Sequence, residues 1–125
     1  MKWHPMWDTL NQGVSHFIFP LSGTFNWDVG LAAEVDKRLK DTRSFVEMEI
    51  RSKSKLTNGR WDFYFLPGKV LCVVQYENDP KIDALAVATM IEFVTRHPEQ
   101  RMALFYPNLA QYVTPIPPNL ILFGE

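Results

Sequence analysis

Asn26, Asp28 and Gly30 stand between an apolar run and a segment with helical periodicity. The apolar run, Val14 to Leu21 (VSHFIFPL), predicts a buried strand that ends at Pro20. A helix N-terminus offers free N–H groups and a partial positive charge, so the junction between these two elements could hold a phosphate. Asn26 and Gly30 are candidates for contact with phosphate or ribose. Helix capping by Asn26 or Asp28 and close packing at Gly30 are equally good alternatives.

A second polar loop, residues 107–118, follows the strand-like run Met102 to Tyr106. It carries Asn108 and Tyr112, whose amide and phenol groups could hydrogen-bond a ribose or stack on a base, or simply pack in a proline-rich loop. Open α/β sheets bind ligands beyond the carboxyl ends of their strands. The sequence therefore predicts a crevice between this loop and the loop that runs from Leu21 to Gly30.

The segment after the first helix is ambiguous. Val46, Met48 and Ile50 alternate with charged residues, which favours a half-buried strand, but a short helix fits the same residues. Residues 45–56 therefore remain open between strand and helix. The basic stretch Arg51 to Arg60 is interpreted as a solvated connection rather than as a phosphate clamp.

The second half of the chain predicts a hairpin, a helix and two strands. Pro67-Gly68 joins two strand-like runs with the residues that a tight turn favours. Asp79 as N-cap and Pro80 at the first helical position predict the start of a helix that ends before Pro98. The last strands are predicted at Met102 to Tyr106 and Leu120 to Phe123.

Strands that alternate with helices in this way predict one α/β domain over residues 1–125. We expect three layers, a mixed and mostly parallel sheet with helices on both of its faces. The length suits a single domain, and hydrophobic residues, which make up 46% of the chain, suffice for a core without a disulfide or a metal.

Charge and residue types exclude several classes of function. The formal net charge of −1 provides no field to gather nucleic acid or an acidic membrane, and no apolar run has the length of a signal peptide or a membrane span. Cys72 is the single cysteine and lies in an apolar run, which indicates a buried thiol in a reducing, cytoplasmic setting. His16 lies within the first strand, where a core role is expected. The histidines are scattered and no nucleophile or phosphate-loop motif occurs, so neither a metal site nor a cofactor is expected.

Several short motifs together resemble the macro domain, the ADP-ribose-binding fold. Trp7-Asp8-Thr9-Leu10 is similar to the family's first segment, Ser15-His16-Phe17-Ile18 to a strand, and Trp27-Asp28-Val29-Gly30-Leu31-Ala32 to the loop and helix start. The hairpin, the run VLCVVQ, the helix from Pro80 and the segment Arg101 to Pro107 follow in the family's order and spacing. The resemblance spans nearly the whole chain and points to the branch of small ADP-ribosyl-glutamate hydrolases.

The resemblance implies a ligand site. Asp8 would accept a hydrogen bond from the adenine amino group, with a role in an N-terminal turn or cap as its alternative. Asp28 stands where the family has the first glycine of its phosphate loop. The expected site consists of Asp8, Asn26, Asp28, Gly30, Asn108 and Tyr112. The family's glycine-rich second loop and the aspartate of its hydrolase branch have no counterpart here, so no catalytic residue is assigned.

By this resemblance we expect a domain that binds ADP-ribose or a related nucleotide. Any hydrolysis would act on an ADP-ribosyl ester or an ADP-ribose phosphate, with a water positioned by the ligand's own phosphates. The alternative is a protein-interaction or homodimerisation module that keeps the fold without the pocket. A small phage-type accessory protein would suit either hypothesis, and neither nucleic acid nor a membrane is expected as a partner.

Overall fold

Five strands form a single mixed sheet. The structure, a computed structural model, describes residues 2–52, 60–66, 68–106 and 115–123, with the backbone alone for residues 60–65. The strands are β1 (Val14–Ser22), β2 (Arg60–Leu66), β3 (Lys69–Tyr76), β4 (Arg101–Phe105) and β5 (Leu120–Phe123). They lie in the order β2-β3-β1-β4-β5, and only the edge strand β2 runs antiparallel to its neighbour. The expected mixed, mostly parallel sheet is confirmed.

Helices cover both faces of the sheet. They are a 3-10 helix (Pro5–Asn11), α1 (Gly30–Arg38), α2 (Thr42–Ser52) and α3 (Pro80–Thr95). The 3-10 helix, α1 and α2 pack on one face, here called the front face, and α3 packs on the opposite, back face. The three-layer α/β arrangement predicted from the sequence is therefore confirmed. None of the helices in the described ranges combines the length and apolar character needed to cross a bilayer.

β1 lies at the centre of the sheet and contributes to both halves of the core. Phe17, Phe19 and Leu21 are fully buried under the front-face helices, whereas Ile18 packs beneath α3. His16, 8% exposed, also lies on the back face, with its ring edge-on to Phe93 of α3 at 5.3 Å. The core role predicted for this histidine is confirmed. Cys72 is likewise buried, as predicted.

Residues 45–52 belong to α2, so the favoured prediction of a strand there is wrong. The buried side chains are Thr42, Val46 and Ile50, which recur every four residues. Met48 points to solvent with 59% of its surface exposed. Val46 and Ile50 fit the period of a strand and that of a helix equally, and only the exposure of Met48 distinguishes the two.

The local signals in the second half of the chain were predicted correctly. β2 and β3 form the expected antiparallel hairpin, and Gly68 takes the positive φ of 68° that its turn requires; Pro67 lies outside the described residues. Asp79 caps α3, since its Oδ1 accepts a hydrogen bond from the backbone N–H of Lys81 at 2.9 Å. Pro80 occupies the first helical position, where its missing N–H leaves no hydrogen bond unmade.

Asn119 fastens the start of β5 to the end of α3. Its Nδ2 donates to the carbonyl oxygens of Val94, His97 and Gln100 at 2.9, 3.0 and 2.9 Å. Its backbone carbonyl accepts a hydrogen bond from the N–H of Met102 at 3.0 Å. One buried amide therefore adds a side-chain donor to carbonyl groups at and just after the end of α3, where Val94 and His97 also accept from the backbone N–H groups of His97 and Gln100.

The segment before β1 is held along α1. Glu34 Oε1 accepts hydrogen bonds from the backbone N–H of His4 at 2.7 Å and from the indole N–H of Trp7 at 3.1 Å. The guanidinium group of Arg38 lies over the rings of Trp7 and Trp3, at 4.4 and 4.9 Å from their centroids. A carboxylate and a cation of α1 thus fix the 3-10 helix to the front face.

Candidate functional site

β1 and β4 separate before either strand ends. Their ladder stops at the pair Ile18 and Leu104. Beyond it β1 continues beside β3 as far as Ser22, while β4 continues beside β5 as far as Phe105. Beyond this pair the carboxyl ends of the two central strands are not paired with each other, and this end of the β1–β4 junction is here called the crevice. The connection after β1 leads towards β3 and the connection after β4 leads towards β5, which makes this the topological switch point of the sheet.

Pro20 explains where the ladder stops. Successive amides of an extended strand point to opposite neighbours, and the N–H of Gly23 donates to the carbonyl of Tyr76 in β3 at 2.8 Å. Position 20 therefore faces β4, where proline has no N–H to donate. β1 itself runs on to Ser22, so the prediction that the strand ends at Pro20 is wrong. The proline instead marks the opening of the crevice.

Aromatic side chains line both sides of the crevice. On the back face the rings of Tyr76 and Tyr106 meet edge to face with centroids 6.3 Å apart. Tyr76 is the last residue of β3 and Tyr106 follows β4, so the pair spans the end of β1. On the front face the ring of Phe105 lies 4.9 Å from that of His4, centroid to centroid. A Cβ atom at Gly30 would lie 3.8 Å from Phe105 Cε1, so the start of α1 reaches the end of β4.

The first turn of α1 carries no capping side chain. Val29 is the N-cap residue, in extended conformation, and it makes no side-chain hydrogen bond; Gly30 follows with a φ of 62°. The prediction that Asn26 or Asp28 caps this helix is wrong. Asn26 Oδ1 instead accepts a hydrogen bond from the backbone N–H of Asp28 at 3.0 Å, which closes a local turn before the helix. Val29, in extended conformation, lies between this turn and the first residue of α1. The free N–H groups of the first turn of α1 therefore have no side-chain acceptor from this loop, and another group could accept from them.

The structure brings three of the six candidate residues together. Asn26, Asp28 and Gly30 are exposed in one loop beside the crevice. Asn108 and Tyr112 lie outside the described residues. These three loop residues are close in sequence, and their contact with a ligand stays a prediction.

Asp8 lies apart from these three residues. It is exposed on the 3-10 helix, four residues after His4, whose ring contacts Phe105. Within the described part of the chain no hydrogen bond or ion pair joins Asp8 to the loop that carries Gly30. The residue of this segment that reaches the crevice is His4, which the sequence did not single out.

The basic stretch contributes one residue near the loop. Arg51, at the end of α2, lies over the ring of Phe25 at 4.7 Å and bonds to Glu47 at 3.5 Å, with 67% of its side chain exposed. The backbone of Phe25 has a φ of 58°, a value that residues other than glycine rarely adopt. The solvated role predicted for Arg51 fits this exposure, and residues 53–59 lie outside the described ranges.

Two polar side chains at the carboxyl edge, Gln75 and Glu77, escaped the sequence reasoning. Gln75 closes the apolar run of β3, and Glu77 follows it; Trp27 lies between β1 and α1. Trp27 Nε1 and Gln75 Oε1 are buried and have no hydrogen-bond partner among the described residues. Gln75 and Glu77 could have been noticed as polar residues at the end of a buried strand. From the sequence, residues 69–76 are predicted only as the second strand of the hairpin.

No group of three or more His, Cys, Asp or Glu side chains in the described ranges is arranged to hold a metal ion. Comparison of the chain with protein-family models, with curated proteins and with solved structures found no match. What the protein binds has to be inferred from the crevice and the residues around it.

Proposed function

We propose that the chain binds ADP-ribose or a related nucleotide as a macro-type domain, in the crevice between the carboxyl ends of β1 and β4. The observation that carries the proposal is the separation of the two strands at Pro20, next to the first turn of α1. Ligands of open α/β sheets bind at such switch points. A first turn without a side-chain cap offers its N–H groups and partial positive charge to a phosphate.

The surroundings of the crevice support a ligand that combines flat rings with charged groups. Tyr76 is partly exposed and offers aromatic surface on the back face, where it packs on the buried Tyr106; Phe105, 6% exposed, is buried on the front face. The loop that carries Asn26 and Gly30 would contact the diphosphate. Hydrolysis of an ADP-ribosyl ester or an ADP-ribose phosphate is an extension of this proposal, in which the ligand's own phosphates position the attacking water.

Calorimetric titration with ADP-ribose tests the proposal, with AMP and cyclic ADP-ribose as comparators. We expect saturable binding of ADP-ribose by the unaltered protein. The substitution Gly30→Val is expected to weaken that binding at least about tenfold, which corresponds to ~1.4 kcal/mol. The reason is that a branched side chain on the first turn of α1 would occupy the space beside Phe105 where a phosphate is expected.

Gly13→Val is the matched control. Gly13 also has a positive φ, 81°, and a Cβ atom there would meet nothing within 4 Å. Both variants should lose about 1–2 kcal/mol of stability through backbone strain, but only Gly30→Val should lose binding. Unchanged binding in Gly30→Val would remove this loop from the site. The absence of heat with all three nucleotides would contradict the proposed ligand class.

A homodimerisation module is the second candidate function, and β5 favours it. Within the described residues β5 pairs with β4 alone, and its sequence Leu120–Phe123 is apolar throughout. An edge strand presents unpaired N–H and C=O groups that can pair with a second chain. Two copies joined along this edge would continue the sheet across the interface.

Leu122→Pro tests the dimer. The N–H of Tyr106 donates to the carbonyl of Phe123 at 3.0 Å, so residue 122 points its backbone groups away from β4. Proline there removes one outward N–H while the contacts with β4 remain. Light scattering over a range of concentrations should show a dimer for the unaltered protein and for Leu122→Val, and a monomer for Leu122→Pro. A monomeric unaltered protein at every concentration would exclude this second function.

A further inference from the structure

The carboxylate of Glu77 lies directly against the backbone of the loop after β1. Ser22 and Tyr76 are the last pair in register between β1 and β3, and the N–H of Gly23 donates to the carbonyl of Tyr76 at 2.8 Å. A Cβ atom at Gly23 would lie 2.5 Å from Glu77 Oε2 and 2.7 Å from its Cδ. Glycine at position 23 is therefore what allows this close approach.

Gln75 supplies an independent sign of a ligand beside Glu77. Its side chain is 6% exposed, and its Oε1 has no hydrogen-bond partner among the described residues. A buried acceptor without a partner costs about 1–3 kcal/mol, which a bound hydroxyl group would offset. Gln75 pairs with Leu21, a front-face residue, so its side chain projects to the front. Glu77 lies just after β3, and its carboxylate lies where a Cβ atom of Gly23, two residues after Leu21, would point, which places it on the same side.

Trp27 adds a donor to the same side of the sheet. Its indole ring packs near that of Phe19 on the front face, with centroids 6.2 Å apart, and its Nε1 is buried without a partner among the described residues. Ser22 and Thr24 flank Gly23, and their hydroxyl oxygens are 2.8 Å apart. The front side of this edge thus combines a carboxylate, an amide oxygen and an N–H donor within one short loop and the end of β3.

We propose that Glu77 and Gln75 bind the vicinal hydroxyl groups of a ribose whose phosphate lies at the first turn of α1. A carboxylate accepts two O–H hydrogen bonds at once, the arrangement that a vicinal diol presents. The same carboxylate would repel a phosphate, so the negative end of the ligand belongs at the uncapped helix and the sugar at β3. This inference rests on the proposed function and identifies the part of the ligand that is recognised.

The test is calorimetric titration of the unaltered protein with ADP-ribose, ribose 5-phosphate and 2-deoxyribose 5-phosphate. We expect ribose 5-phosphate to bind at least tenfold more tightly than its deoxy analogue. Glu77→Gln should abolish that preference, and Gly23→Ala should do so as well, because the added methyl group would displace the carboxylate without removing it. Glu99→Gln removes one exposed charge at the amino end of β4 and should leave both affinities unchanged. Circular dichroism confirms that each variant is folded.

The outcomes separate this inference from the proposed function. ADP-ribose binding that is insensitive to Glu77→Gln would overturn the ribose site and leave the proposed function standing. Binding of ribose 5-phosphate that depends on Glu77, without binding of ADP-ribose, would support the ribose site and overturn the proposed ligand. The absence of binding by all three compounds would overturn both.

Discussion

Asn119→Asp is expected to lower the free energy of unfolding by about 3–5 kcal/mol, although the two side chains have nearly the same shape. The amide donates to the carbonyl oxygens of Val94, His97 and Gln100 from a buried position. A carboxylate there would present a negative charge to three acceptors, whereas Asn119→Ala removes the side-chain donor but leaves Val94 and His97 with backbone N–H donors, and should cost about 1–3 kcal/mol. Urea unfolding followed by circular dichroism measures both values.

Which of the two variants loses more free energy of unfolding distinguishes a hydrogen-bonding role of Asn119 from a purely steric one. If Asn119 acted only by filling space, alanine would be the more damaging replacement, because it removes more atoms. Asn11→Asp introduces the same charge at an exposed residue and should change stability by no more than about 0.5 kcal/mol. A smaller loss for Asn119→Asp than for Asn119→Ala would contradict the hydrogen-bonding role.

Trp27→Ala is expected to destabilise the fold by about 3–5 kcal/mol and to abolish nucleotide binding. The indole is 2% exposed and packs near Phe19, so its loss leaves a cavity directly beneath the loop that carries Asn26 and Gly30. Trp27→Phe should cost only about 1 kcal/mol, because the lost contacts are partly offset by removal of a buried N–H that has no partner among the described residues. Urea unfolding and titration with ADP-ribose provide the two measurements.

Trp3→Ala serves as the control for Trp27→Ala, because it also removes an indole ring but outside the loop that carries Gly30. Trp3 is half-buried and packs against Trp7 and Arg38 at the far side of α1. We expect it to cost about 1 kcal/mol and to leave binding intact. Equal effects of Trp3→Ala and Trp27→Ala on binding would show that Trp27 has no particular role in holding the loop.

The periodicity of apolar residues predicts much of this fold. β1 and α3 each bury a continuous set of side chains, and the caps at Asp79 and Pro80 are local chemistry that acts within one turn. α2 was misassigned because Val46 and Ile50 satisfy two periods at once. In such a short segment the packing of neighbouring elements decides the structure, and the sequence does not contain that information locally.

The candidate site was predictable only in part, for a similar reason. Gly30 follows from the rule that a loop after a buried strand meets a helix N-terminus. The role of Pro20 depends on which neighbour its amide faces, and that is set by pairing with strands far along the chain. A role for Gln75 and Glu77 in binding can be inferred only once β3 is known to lie parallel to β1, beside Gly23.

The central position of β1 has a consequence for synthesis on the ribosome. β1 is made before the other four strands described in this sheet, yet the register joins it to Val70–Tyr76 on one side and to Arg101–Leu104 on the other. β1, with its apolar core residues, therefore waits without either partner until residues 70–76 and 101–104 are translated, and such exposed strands are prone to aggregate. Its early neighbours are the 3-10 helix and α1, which pack on its front face. In the nascent chain these two helices would shield β1 until β3 and β4 arrive.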